Sequence, residues 1–256
     1  MQHPVVEREN TDLHAGSISL MLGKAGLVLL PERAVWWPEQ RTLLIADTHF
    51  GKEATFRRMS IPIPDQTTND LQRLNQLLDR TDAARLIILG DLLHSRHGRS
   101  PIVFAEIAEW RKQQEQAVKE EVRHIIDILR DFGDDTEYQQ QQQQLQITLV
   151  RGNHDLSAGD PPQDWHIECV DDPTPVAGLR LCHVPPADDL PGLAGHLHPV
   201  IGLRGPARDS LRMPCFLLRR ETLVLPAFSS FVDGRKLSTT ADEQVFCIAE
   251  DQVFAV

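Results

Sequence analysis

Several short apolar runs in this chain end abruptly in residues that can hold a cation or move a proton. Leu145 to Val150 runs straight into Gly152-Asn153-His154-Asp155. Arg41 to Ala46 delivers Asp47 and His49, Leu86 to Leu89 ends at Gly90-Asp91, Leu179 to His183 ends on a histidine, and Gly192 to His196 leads on to His198. Short apolar runs punctuated by Gly and Pro read as buried strands. Ligand sites of α/β proteins gather at the carboxyl ends of strands, so these ends predict one shared site. In Asp47-x-His49 and His196-x-His198 the residues stand two apart, and on extended backbone both then point to the same face. Gly152 is expected to permit an unusual turn, and Asp155 offers a carboxylate that could orient a neighbour.

The remaining pattern supplies the scaffold. Residues 1–15 read as a flexible leader and 16–256 as one domain. Ser17 to Leu22 and Leu27 to Leu30 form a hairpin pattern, Ala34 to Trp37 another strand. Asp65 to Arg80 is a helix with Leu71, Leu74, Leu77 and Leu78 at helical spacing, capped by Asp65 or Thr67. Ser100-Pro101 opens a long helix to about Phe132, whose stripe includes Ile102, Ile107 and Trp110. That stripe covers the sheet by default, a dimer surface being the alternative. Gln139 to Gln144 lies in a Gln-rich surface loop at about 133–145. Short strands follow at Cys215 to Leu218 and Thr222 to Leu225, with Val245 to Ala249 as the last. Strand and helix alternate in the first half, and strands dominate the second.

Charge and cysteine usage narrow the setting. A formal net charge of −11 argues against broad, sequence-independent adhesion to nucleic acid or anionic membrane, though not against a local basic groove. Cys169, Cys182, Cys215 and Cys247 contain no Cys-x-x-Cys pair, which fits free thiols in a reducing compartment. No run approaches the ~20 apolar residues of a membrane helix, and Met1 to Asp12 has no apolar core of a signal peptide. A cytoplasmic protein is expected.

The polar residues at the strand ends are Asp47, His49, Asp91, Asn153, His154, His183, His196 and His198. Oxygen and imidazole nitrogen without thiolate suit Mn, Fe or Zn, and the number suffices for two ions bridged by a carboxylate. In order, the blocks Asp-x-His, Gly-Asp, Gly-Asn-His-Asp, His and Gly-His-x-His resemble the calcineurin-like metallophosphoesterase superfamily. The resemblance implies a four-layer α/β sandwich, two mixed β-sheets flanked by α-helices. It also implies Asp47, His49 and His198 on one metal, Asn153, His183 and His196 on the other, and Asp91 between them. His154 would face the phosphate as acid or transition-state stabiliser, with Asp155 orienting it. Manganese is the favoured ion, with iron, zinc or magnesium as alternatives.

Further stretches, among them Phe50-Gly51-Lys52-Glu53, Gly90-Asp91-Leu92-Leu93-His94-Ser95-Arg96 and Met213-Pro214-Cys215-Phe216, resemble the bacterial ligase-associated DNA-damage-response phosphoesterases, to which endonuclease activity is ascribed. The name of that branch suggests a phosphodiester substrate in nucleic acid, with DNA the candidate. The resemblance implies genomic company with an ATP-dependent DNA ligase, a helicase and an exonuclease, which are candidate functional associates; such company does not itself identify a substrate. His94, Arg57 and Arg96 are candidate substrate contacts. Lys52, Arg58 and Arg99 could join them in a positive rim. Two other classes stay open: a phosphoesterase for a cyclic nucleotide or nucleotide-lipid, which suits the acidic total, and a non-catalytic scaffold of a repair complex.

Overall fold

The computed structural model describes residues 6–7, 15–58, 60–61, 63–94, 99–131, 144–204, 210–238 and 240–256. Most of the expected leader, the Gln-rich loop up to residue 143, and Arg96 lie outside them.

The first sheet runs in the order β1 to β8: β1 Val6–Glu7, β2 Ile18–Leu22, β3 Ala25–Leu30, β4 Ala34–Trp37, β5 Thr42–Ile45, β6 Arg85–Leu89, β7 Gln146–Val150 and β8 Ile167–Val170. The strands from β1 to β5 pair antiparallel and those from β5 to β8 parallel. Parallel pairing needs crossovers. Helices α1 (Lys52–Arg58), α2 (Gln66–Thr81), α3 (Pro101–Asp131) and α4 (Asn153–Ala158) lie in those connections. Val6–Glu7, expected in the leader, pairs with Leu20 and Ser19 at the sheet edge.

The second sheet holds β9 Thr174–Val176, β10 Leu179–Leu181, β11 Gly192–Ala194, β12 Pro199–Arg204, β13 Ser210–Arg219, β14 Thr222–Val224, β15 Arg235–Lys236, β16 Gln244–Ala249 and β17 Gln252–Ala255. It too is mixed. Strands β10, β11 and β14 are mutually parallel neighbours, while β13 pairs antiparallel with β12, β14 and β16. Val245 to Ala249 is therefore not the last strand, because β17 folds back on it.

Two mixed sheets with flanking helices make up an α/β architecture. Strand alternation sorts side chains between layers. Leu44, Ile87 and Leu89 meet Leu193, Phe216, Leu223 and Phe246 between the sheets. Leu43, Ile45, Leu86 and Ile88 turn the other way, toward Leu71, Leu74, Leu77 and Leu78 of α2 and Val103, Ile107 and Trp110 of α3. Trp36 and Trp37 fall on opposite faces of β4, both buried. On α3 the expected stripe is displaced at its start: Ile102 is 62% exposed and Val103 takes the buried position. The helix meets the core within its first turn, at Val103, two residues after the N1 proline. Outside the second sheet lies a smaller cluster around Met213, Cys215, Leu217 and Cys247. No helix described here is long and apolar enough to cross a membrane.

Candidate metal centre

The two sheets bring their parallel strand ends to one edge. Asp47 and Asp91 stand two residues beyond β5 and β6, and His183 and His196 two beyond β10 and β11. Asn153 and His154 open α4, just after β7. Backbone bonds tie the loops together: Asp47 N–H donates to Gly90 O (3.1 Å), His49 N–H to Asp91 O (2.9 Å) and His94 N–H to Phe50 O (3.1 Å).

This packing leaves little room beneath the ligating atoms. Gly90 has φ +82°, and a Cβ there would collide with the His183 ring. Gly152 has an ordinary φ of −94°, so the expected unusual turn is absent. Its lack of a side chain matters because a Cβ would strike the Asp91 carboxylate. Asp47, His49, Asp91, His196 and His198 all have positive φ, a region non-glycine residues seldom enter.

Besides a cluster of His49, His94 and His154, two donor groups among the described residues hold the expected ligands. In the first, His49 Nε2 and His198 Nε2 stand 3.4 Å apart, and Asp47 Oδ1 lies 3.3 Å from His198 Nε2. Asp47 Oδ1 is buried without a hydrogen-bond partner, while Oδ2 accepts the His196 N–H at 2.8 Å. In the second, His183 Nδ1 lies 3.1 Å from Leu89 O. A carbonyl only accepts, so Nδ1 carries the proton and Nε2 presents a lone pair. That lone pair faces Asn153 Oδ1 at 3.0 Å and His196 Nδ1 at 3.0 Å. Oxygens and imidazole nitrogens converging in this way, with Asp47 Oδ1 buried and unpartnered, are what a cation would neutralise. The set of oxygen and imidazole ligands therefore fits divalent ions.

Asp91 stands between the groups. Its Oδ1 is 3.6 Å from His183 Nε2 and accepts the His154 N–H at 2.9 Å. Its Oδ2 is 3.8 Å from His49 Nε2 and 3.9 Å from His154 Nε2. Burial pushes the Asp91 carboxyl above its ordinary range. Burial also holds His49 down at about 2, with His198 and His154 adding to the effect, so its imidazole is neutral, as a ligand must be. His196 is lowered by burial and then by His183.

A model of the calcineurin-like phosphoesterase family matches residues 40–201. The chain belongs to the calcineurin-like phosphoesterase family. Members are metal-dependent hydrolases of phosphate esters with a binuclear divalent metal centre, and the match spans every residue of the two donor groups. Among solved structures the chain is similar to the Pseudomonas putida nuclease MPE, at 33% identity and a TM-score of 0.73, covering 94% of this chain and 100% of that one. The E. coli phosphoesterase Yfce aligns at 15% identity and a TM-score of 0.35 over 84% of this chain and 97% of its own; a likeness that weak carries no argument. No curated protein matches.

Around the calcineurin-like centre, other expected residues fall differently. His94 is beside the site, its ring 5.6 Å from that of His154 and stacked on it. Its Nδ1 is buried and unpartnered. Burial, then Lys52 and His154, lowers it to about 4. Asp155 does not orient the His154 ring. Its carboxylate accepts the backbone N–H groups of Asp91 (2.7 Å), Leu92 (3.0 Å) and Gly152 (2.9 Å). It thus clamps the β6 loop to the start of α4, because a carboxylate in the first turn of a short helix meets amides before it meets its neighbour's ring. Arg57 is turned toward Ile63 O and Asp65, and Arg99 toward Ala158 O and Asp160 O. Neither joins a rim at the centre.

Proposed function

We propose that the protein is a phosphodiesterase of nucleic acid strands, a nuclease, using two divalent ions held by Asp47, His49 and His198 on one side and Asn153, His183 and His196 on the other, with Asp91 shared. The observation that carries this reading is Asp91 itself, placed with one oxygen toward each donor group and with the His154 imidazole beside it. The similarity to a protein named as a nuclease supports the diester preference. The DNA-repair setting, with a ligase, helicase and exonuclease as associates, rests on the resemblance of the motifs to the ligase-associated branch. Manganese suits the thiolate-free donor set. Four free cysteines accord with a reducing, cytoplasmic setting.

Bound ions would supply charge against the phosphate oxygens and ease deprotonation of an attacking water. The protein's own groups do the rest. His154 keeps a side chain 36% exposed above the almost fully buried Asp91, so its Nε2 can reach an incoming ester. It donates a proton to the leaving oxygen as the P–O bond breaks and water's oxygen takes its place on phosphorus. The stacked His94 ring lines the same approach as a substrate contact. Activity of the manganese-loaded protein toward single-stranded DNA, dinucleotides, cyclic nucleotides and phosphomonoesters tests the reading. Cleavage of strands and dinucleotides is expected; turnover confined to cyclic nucleotides or monoesters would overturn it.

A further inference from the structure

A cavity of about 190 Å³ opens beside His198, outside the two donor groups. His198 belongs to its wall and to the first donor group alike, so an occupant would sit next to the reacting centre. Arg33, Arg212, Ser230 and Asp233 supply the polar wall, and Pro199 and Pro226 part of the apolar one. The volume is below the ~300 Å³ at which pockets for whole drug-sized ligands begin. It suits a phosphate and part of a sugar better than a complete nucleotide.

The charges favour an anion. Arg33 is already oriented, its Nη1 donating to Ser229 O at 3.0 Å and Ala227 O at 3.4 Å. Arg212, on β13, is steadied by a bond from Nη2 to Gly234 O. Guanidinium groups match phosphate geometry with paired donors. Arg235 and Lys236 of β15, in register with Pro199 and Val200 on the cavity wall, are exposed next to it. The wall also carries one carboxylate, Asp233, which partly offsets the lowering of the neighbouring Lys52 pKa by burial. In a chain of net charge −11 this is a local reversal of sign.

We propose that this cavity is a subsite for the phosphate next to the scissile one, so that the enzyme takes strands carrying consecutive phosphates in preference to an isolated diester. The proposal rests on the phosphodiesterase reading above and adds to it a second point of phosphate recognition. Charge-assisted hydrogen bonds from Arg212 and Arg33 would hold that phosphate while the apolar wall packs against its sugar.

The test compares kcat/KM for a dinucleotide without a terminal phosphate against the same dinucleotide with a 5′- or a 3′-terminal phosphate. The wild-type enzyme is expected to prefer one phosphorylated form by about tenfold or more, the scale of one charge-assisted hydrogen bond. Arg212→Ala should bring that ratio close to one, Arg212→Lys should retain part of it, and Lys24→Ala, a charge removed from the β2–β3 turn, should leave it intact. Arg33 is not the probe, because it also holds the carbonyls of Ala227 and Ser229 in the loop after β14. Equal rates on all dinucleotides by the wild type, or a preference that survives Arg212→Ala, overturns the subsite alone. Failure to cleave both dinucleotides and single-stranded DNA while bis(nitrophenyl) phosphate is hydrolysed overturns the nucleic-acid reading, and the subsite with it.

Discussion

The Asp155 carboxylate takes the backbone N–H of Asp91 at 2.7 Å and, with the same oxygen, that of Gly152 at 2.9 Å. Two loops that carry candidate ligands are thereby fixed by a residue that supplies none. Asp155→Asn replaces one acceptor oxygen by an amide that faces N–H donors. Each buried N–H left unpaired costs about 1–3 kcal/mol. The expected result is a lower Tm together with metal affinity reduced roughly 10–100-fold, as for other groups that support ligands. Metal titration and thermal unfolding check this. Unchanged affinity would remove Asp155 from the support of the centre.

Asp91→Asn probes the shared position. A neutral amide is a poor link between two cations, so one ion should be lost before the other and activity should fall with it. Metal analysis after gel filtration gives the count. Two retained ions with full activity would be incompatible with Asp91 between them.

His154→Ala separates proton donation from metal binding. Both ions should remain, and kcat should fall by ~10²–10⁴. The loss should appear in kcat more than KM and shrink for a nitrophenyl ester, whose leaving oxygen needs little protonation. Loss of an ion, or equal losses on good and poor leaving groups, would assign His154 another role.

A carboxyl away from the centre predicts a pH effect on stability. Burial, then the Asp65 and Glu53 carboxylates, raises Glu106 on α3 from 4.5 to about 7, against the pull of Arg57. Between pH 4.5 and about 7 the folded state binds more protons than the unfolded one, so this group makes stability fall as pH rises through that window. Glutamine is neutral throughout. The Tm difference between Glu106→Gln and wild type should therefore grow from pH 4.5 to about 7 in the variant's favour and then level off. A flat difference would show that Glu106 ionises freely.

Much of this was legible from spacing alone. Asp47, His49, Asp91, Asn153, His154, His183, His196 and His198 follow apolar runs, and a run's end is a local property. What stayed hidden depended on tertiary neighbours. Arg57 and Arg99 are basic residues close in sequence to ligands, yet both are drawn off by carbonyls and carboxylates that only the fold supplies. Arg33 and Arg212 lie 179 positions apart in number, in a turn of the first sheet and on a strand of the second, and meet at one cavity only through the packing of the two sheets, with no signal along the chain. Strands such as β8, β9 and β15 are too short or too polar to show an alternating pattern. Sequence reasoning expects Asp155 to orient His154, but its carboxylate takes the amides of Asp91, Leu92 and Gly152, partners that sequence does not display.

The positive φ angles of Asp47, His49, Asp91, His196 and His198 restrict the chemical alphabet of the centre. Among residues with a Cβ, Asn, Asp and His enter the left-handed region most readily. Glutamate could present a carboxylate, and cysteine a softer donor, but neither shares that backbone tolerance. A substitution at these five positions must satisfy a dihedral angle as well as an ion. The preference for aspartate and histidine over other donors is thus written partly into the main chain, and exchanging oxygen and nitrogen ligands for sulfur to retune metal choice would require rebuilding the loops first.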